Sequence, residues 1–185
     1  MKRSFDIIFS ALLICVVFPF GILIALIIKM TSPGPVFFVQ QRVGRYCQTF
    51  EMYKFRTMVQ GAEQIGGFQT RQNDPRITPI GRVLRRSSLD ELPQLLNVII
   101  GDMSVLGPRP NVMEQKIFYK EHDWNERHSI RPGITGLAQV KCRSKCSFEQ
   151  RLAYDLEYVR TNKIGSDLKL IINTIKSLTD FKNVN

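Results

Sequence analysis

From Ile7 to Ile28 the chain carries no charged residue. About 22 residues at about 1.5 Å each make a helix of roughly 33 Å, enough to cross the hydrocarbon core of a bilayer. Backbone polar groups in lipid must be bonded within the segment, so this run is helical and the chain begins in a membrane. A secretory signal is the alternative, but no small-x-small cleavage site follows before Lys29. Lys2 and Arg3 precede the run and Lys29, Arg42 and Arg45 follow it, so the preference of basic residues for the cytosolic side selects no orientation. Pro19, followed by Gly21, sits near the middle, where proline removes a backbone hydrogen bond and bends a helix. A segment that enters, kinks at Pro19 and returns to the same face satisfies both observations. Spanning helices also tolerate proline, so these features leave both topologies open.

The rest reads as soluble. Thr31-Ser32-Pro33-Gly34-Pro35 is a cluster of helix breakers. Val36–Val43 and Phe50–Met58 are rich in β-branched and aromatic residues around Gly44 and predict a hairpin, with Lys54 and Arg56 on one face of its second strand. Residues 60–79 hold three glycines and two prolines with little apolar period, which predicts a mobile loop or lid. Asn111–Ile130 reads as two short helical pieces, and Arg131–Val140 as a turn followed by a short strand. Ser147 and Gln150 form a capping box opening a helix whose apolar stripe is Phe148, Leu152, Leu156 and Val159, with Asp155 off it. A last amphipathic helix starts at Ser166 or Asp167, with Leu168, Ile171, Ile172, Ile175 and Leu178 on one side. It serves either as an outer helix of the domain or as a lipid-facing one. The 185 residues suit one domain plus an appendage: 1–30 in the membrane and 31–185 outside it. The fold class expected is α/β in the α+β sense, mostly helical, with a small β-hairpin and amphipathic interfacial helices.

Lys and Arg number 26 against 16 Asp and Glu, a net charge of +10 that calls for an anionic partner: nucleic acid, a phospholipid surface or a phosphorylated substrate. Cys15, Cys47, Cys142 and Cys146 fit neither a zinc site nor a disulfide framework, and a reducing, cytosolic setting suits them. His122 and His128 lie in a polar stretch and give little support to a histidine triad.

The chemistry concentrates between Arg85 and Pro110. Asp90 and Glu91 lie between the pair Arg85-Arg86 and Arg109, which sits in Pro108-Arg109-Pro110. Ser88 and Glu91 have capping-box spacing, which predicts a helix N-terminus, or a kink at Pro93, at the acids and an ionised Asp90. Acids at helix starts are also ordinary caps. A carboxylate can attack phosphorus when cations hold the phosphate oxygens, and a second acid can bind Mg²⁺ or move a proton. The competing reading is a membrane-anchored basic module that binds anionic lipid or nucleic acid without catalysis; it gives no reason for two acids among the cations.

Four motifs in order carry a resemblance: Tyr53-Lys54-Phe55-Arg56-Thr57-Met58, Ser88 to Val98, Gly101 to Pro110 and Arg131 to Val140. Over nearly its whole length the chain resembles the monotopic phosphoglycosyl transferases, bacterial sugar transferases that start glycan assembly on a polyprenol carrier. The resemblance implies that Asp90 is the nucleophile toward the β-phosphate of a nucleoside-diphosphate sugar, usually UDP-linked, with UMP released. It makes Glu91 the acidic partner and Asp90 and Glu91 the Mg²⁺ ligands. Lys54, Arg85, Arg109 and Arg143 match phosphate-contacting or site-shaping cations, and Gln139 and Asp155 match polar positions near the site. Pro19 matches the proline that turns a re-entrant helix, where Phe18 replaces the serine of many members. Implied partners are polyprenol phosphate, membrane lipids and later glycosyltransferases, not nucleic acid, at the cytosolic face of the inner membrane.

Overall fold

The computed structural model describes residues 2–66, 70–71, 73–142, 146–161, 167 and 170–174. The apolar run forms helix α1, Lys2–Thr31, which continues through Pro19. By length and composition it is long and apolar enough to cross a membrane. Its buried residues lie toward its two ends: Asp6 and Ser10, then Ile24 and Ile28. Between them Leu12, Val16, Phe18 and Phe20 are 61% to 65% exposed.

Both ends of α1 are fastened to the same body. Near its start, Lys2 donates to Asp167 at 2.6 Å and to the Tyr158 hydroxyl at 2.9 Å. Asp6, buried in an otherwise apolar setting, accepts from Ser104 Oγ at 2.8 Å and from the Val105 N–H at 3.1 Å. Those two bonds offset the cost of burying its carboxylate. Toward the other end, Ile24 and Ile28 pack with Phe55 and Leu84.

The predicted hairpin is present as β1, Phe37–Val43, antiparallel to β2, Thr49–Phe55. A short helix α2, Ala62–Gly66, precedes α3, Pro79–Ser87; a 3-10 turn at Leu89–Glu91 then leads into α4, Gln94–Ile100. Arg3 reaches the end of α4, donating to the Val98 and Ile99 carbonyls at 2.5 and 2.9 Å, where the helix dipole favours a cation. Asn97, fully buried, clips α4 to β2: its Oδ1 accepts from the Tyr53 N–H at 3.0 Å and its Nδ2 donates to the Glu51 carbonyl at 2.6 Å. One amide side chain thus satisfies strand groups that have no neighbouring strand.

The alternation of the sequence does not show a second, parallel pair: β3, Ser104–Leu106, beside β4, Gly133–Thr135. Here the backbones touch, and a Cβ at Gly133 would overlap the backbone of Gly107. The glycines of the last two motifs are what allow this approach. A 3-10 helix, Met113–Phe118, and α5, Glu121–Arg127, are the two helical pieces expected in that stretch. Then follow α6, Leu137–Cys142, and α7, Phe148–Thr161. The main core joins Phe50, Met52, Val98, Met103, Leu106 and Tyr158, with Phe5 and Phe9 of α1 against it.

Five expectations need correction. Leu137–Val140 is helical, because Gly136 ends β4 and its carbonyl accepts from the Val140 N–H. The 60–79 segment is pinned in its described part: buried Arg76 grips Asp74 through Nε (2.9 Å) and Nη2 (2.7 Å) and reaches the Ala62 carbonyl (2.9 Å). Cys142 and Cys146 are joined by a disulfide with 5.2 Å between Cα atoms. Ser88 makes no side-chain cap bond; with φ of 58° it ends α3 in the left-handed region. Asp155, expected off the apolar stripe of α7, is buried. The second capping box does form, Ser147 N–H to Gln150 Oε1 and Gln150 N–H to Ser147 Oγ. The last amphipathic helix lies mostly outside the described residues; within them Ile171 is buried and Ile172 is exposed.

Candidate active site

The turn at Leu89–Glu91 delivers both acids into a cleft of about 590 Å³. Ser88 makes this geometry: its left-handed backbone stops α3 and redirects the chain, and α4 resumes only after Pro93. The clip at Asn97 then holds α4 on β2, so that Lys54 of β2 faces the acids. Lys54 Nζ meets Glu91 Oε1 at 2.8 Å, and Arg109 Nη2 meets the same oxygen at 2.6 Å. Arg85 donates to Thr57 Oγ1 at 2.8 Å and to Thr70 Oγ1 at 3.1 Å, so two hydroxyls hold its guanidinium on the cleft wall.

The two adjacent carboxylates occupy opposite electrostatic situations. Burial by itself would raise the Glu91 carboxyl, but the Arg109 and Lys54 charges and hydrogen bonds overcome it and hold Glu91 at about 2. Glu91 is therefore a committed counter-ion. Asp90, 7% exposed, receives no hydrogen bond from the described residues. Burial raises its carboxyl above the ordinary aspartate value, and Lys54 offsets this only in part, with Glu91 adding repulsion. Burial also lowers the Lys54 ammonium, against the pull of Glu91. The result is an unpaired carboxylate facing a cleft lined by five cations, Arg42, Lys54, Arg56, Arg85 and Arg109. Such an arrangement favours an anion bearing several oxygens, with Asp90 free to act on it.

A profile of the family described as "Bacterial sugar transferase" matches residues 1–180. The chain belongs to the bacterial sugar transferase family. Among its relatives in this family is the exopolysaccharide production protein PSS of Rhizobium leguminosarum bv. phaseoli, 43% identical over 96% of this chain and 94% of that protein. A second is the UDP-glucose:undecaprenyl-phosphate glucose-1-phosphate transferase of Caulobacter vibrioides, 40% identical over 98% of this chain and 71% of that one. A third is the UDP-N-acetylgalactosamine-undecaprenyl-phosphate N-acetylgalactosaminephosphotransferase of Aeromonas hydrophila, 37% identical over 96% of this chain and 43% of that one. The last two names carry different sugars at nearly equal identity.

Of the residues expected in this sugar transferase's site, Lys54, Arg85, Asp90, Glu91 and Arg109 come together in the cleft. Asp155 does not line it. Its carboxylate takes Arg127 Nε at 2.9 Å, and Arg127 Nη2 donates to the Arg109 carbonyl at 2.6 Å while Nη1 bonds Asn111. Asp155 thus reaches the site through Arg127, which grips the backbone of the Pro-Arg-Pro turn. Gln139 also lies outside the cleft lining, and both of its amide atoms are buried without partners among the described residues. Arg143 lies outside the described residues. Arg127 carries no sequence signal, being one cation in a polar stretch. Arg42 had a usable signal: its alternation with Phe38 and Gln40 on a strand that pairs with the strand bearing Lys54.

Proposed function

We propose that this sugar transferase moves a phosphosugar from a nucleoside-diphosphate sugar, UDP-linked, to polyprenol phosphate, giving polyprenol-diphosphate sugar and UMP. The observation that carries the reading is the contrast between Asp90, unpaired among cations, and Glu91, already neutralised by Lys54 and Arg109. A second support is that relatives aligned over nearly all of this chain are named for such transfers to undecaprenyl phosphate.

In the first step an Asp90 oxygen attacks the β-phosphorus, and the bond from that phosphorus to the oxygen bridging to UMP breaks. The bridging oxygen keeps the electron pair and leaves on UMP, and the sugar phosphate remains on Asp90 as an acyl phosphate. In the second step a phosphate oxygen of the polyprenol phosphate attacks the same phosphorus, and the acyl–phosphate bond breaks to return the Asp90 carboxylate. Arg109 and Arg85 hold the phosphoryl oxygens while charge builds on them, and Lys54 with Glu91 fixes the orientation of Arg109. Arg127 and Asp155 keep the backbone beneath Arg109 in place.

The donor set suits Mg²⁺: among the described residues Asp90 has no hydrogen bond, and Glu91 Oε2 has none because both cations bind Oε1. Among the described residues no third acid, histidine or cysteine joins them, and magnesium takes one or two carboxylates with the rest of its shell from phosphate and water. When bound, the ion supplies positive charge to the diphosphate.

We also read the two fastened ends of α1 as support for re-entry. Lys2, Arg3 and Asp6 at one end and Ile24 and Ile28 at the other touch one body, which supports a reading in which both ends lie on the cytosolic side of the inner membrane. The exposed Leu96, Ile99 and Ile100 of α4, with Ile117 and Phe118, suit the adjoining lipid interface. The product then passes to later glycosyltransferases. The test is UMP release from a panel of UDP-sugars by the protein in detergent or nanodiscs with Mg²⁺ and polyprenol phosphate, and radiolabel from the sugar nucleotide retained on the protein without lipid. Wild type labels and Asp90→Asn does not; label on Asp90→Asn removes Asp90 from the nucleophile role.

A further inference from the structure

Two cleft cations have no part in these steps. Arg56 spends its guanidinium on the Ser32 and Pro33 carbonyls just beyond α1, at 2.7 and 2.6 Å. Arg42 is different. Alternate residues of a strand share a face, so Phe38, Gln40 and Arg42 form a row along β1, and the pairing of Phe38 with Lys54 puts Lys54 on that face. All four line the cleft. Arg42 Nη2 donates to Gln40 Oε1 at 2.6 Å and Nη1 to the Pro110 carbonyl at 3.1 Å. Its Nε is buried without a partner among the described residues.

No carboxylate is within ion-pair distance of Arg42 among the described residues. Glu91, the acid whose charge attracts Arg42 most, is shared between Lys54 and Arg109. Burial, followed by repulsion from Arg109, brings the Arg42 guanidinium down to about 10, against weaker attraction from Glu91 and Glu114. A half-buried guanidinium without a counter-ion is costly by itself and becomes favourable when an anion arrives. Its planar fork matches phosphate oxygens.

We propose that Arg42, braced by Gln40 and standing beside Arg109, is a phosphate-binding residue of the cleft. This rests on the reaction proposed above, in which two phosphates must be held: that of the nucleotide and that of the lipid. A residue that merely braces Pro110 differs in a measurable way. Removing a brace lowers stability and leaves ligand affinity alone, whereas removing an uncompensated cation leaves the ligand-free protein at least as stable and weakens phosphate binding.

The experiment compares wild type, Arg42→Met and Arg42→Lys as full chains in detergent, measuring melting temperature without ligand and affinity for UMP, a short-chain polyprenyl phosphate and inorganic phosphate. Arg42→Met is expected to melt no lower than wild type and to bind at least one probe about tenfold more weakly or worse, with Arg42→Lys in between. Weakening for UMP alone assigns Arg42 to the nucleotide phosphate, and for the polyprenyl phosphate alone to the lipid phosphate. If Arg42→Met melts well below wild type, Arg42→Lys decides by the same titrations. Wild-type affinity for all three probes in the deciding variant overturns the proposal, as does a wild type that binds none. Inorganic phosphate needs no turnover: a wild type that binds it through Arg42 but releases no UMP from any UDP-sugar keeps this site and removes the transfer reaction.

Discussion

Neutralising either of two adjacent carboxylates should change stability in opposite directions. Glu91 falls from its ordinary 4.5 to about 2, with its side chain 15% exposed. At about 1.4 kcal/mol for each tenfold change in proton affinity, that is roughly 3 kcal/mol of folding stability. A carboxyl depressed on folding stabilises at pH values above 4.5, and the stabilisation disappears as pH falls toward 2. Glu91→Gln should therefore cost roughly 3 kcal/mol at pH 7 and progressively less in acid. Asp90 is raised by burial, so its carboxyl works against folding increasingly as pH rises from the ordinary aspartate value up to its raised folded value, and Asp90→Asn should be at least as stable as wild type at pH 8. That difference closes below about pH 3.8, the ordinary aspartate value. Trp124 is the only tryptophan and is 1% exposed, so its fluorescence during denaturant unfolding in detergent reports the fold directly. Equal destabilisation by both substitutions, or a Glu91→Gln that matches wild type at pH 7, refutes the division into counter-ion and free acid.

Arg109→Lys loses the fork that holds phosphate and should cost about 2–4 kcal/mol of transition-state stabilisation, measured as kcat/KM for UMP release; wild-type kinetics would make the Pro-Arg-Pro turn purely structural. Arg127→Lys, outside the cleft, cannot hold Asp155, Asn111 and the Arg109 carbonyl together, and should lower kcat/KM by about ten- to a hundredfold with the fold retained by circular dichroism. Asn97→Ala leaves the Tyr53 N–H and Glu51 carbonyl unpaired and should destabilise by about 2–4 kcal/mol in the same fluorescence assay. For topology, single cysteines at positions 4 and 31, in a background lacking Cys15, Cys47, Cys142 and Cys146, should both resist an impermeant thiol reagent until cells are opened; labelling at position 4 in intact cells shows a spanning helix.

Features encoded in consecutive residues were legible without coordinates. An uncharged run from Ile7 to Ile28 makes a long apolar helix, alternating β-branched residues around Gly44 make the hairpin, and Ser147 with Gln150 caps α7, because each rests on local composition, periodicity or a bond between near neighbours. The motifs also brought Lys54, Arg85, Asp90, Glu91 and Arg109 forward as one group. The tertiary structure decided which partners the members of that group have. Asp90 and Glu91 are neighbours of the same chemical type, and no local rule separates them; only the fold brings Lys54 and Arg109 to one oxygen of Glu91 and leaves Asp90 unpaired. Ser88 has the spacing of a cap but ends the preceding helix, since φ depends on how α3 and α4 pack. Asp155 came forward as a site residue, yet its carboxylate is bonded to Arg127, 28 positions away, and Arg42 meets Pro110 across 68. Contacts at such separations are made by packing and leave no period in the sequence, which is why the charged residues of the cleft could be read from the chain while the partnership of each charge could not.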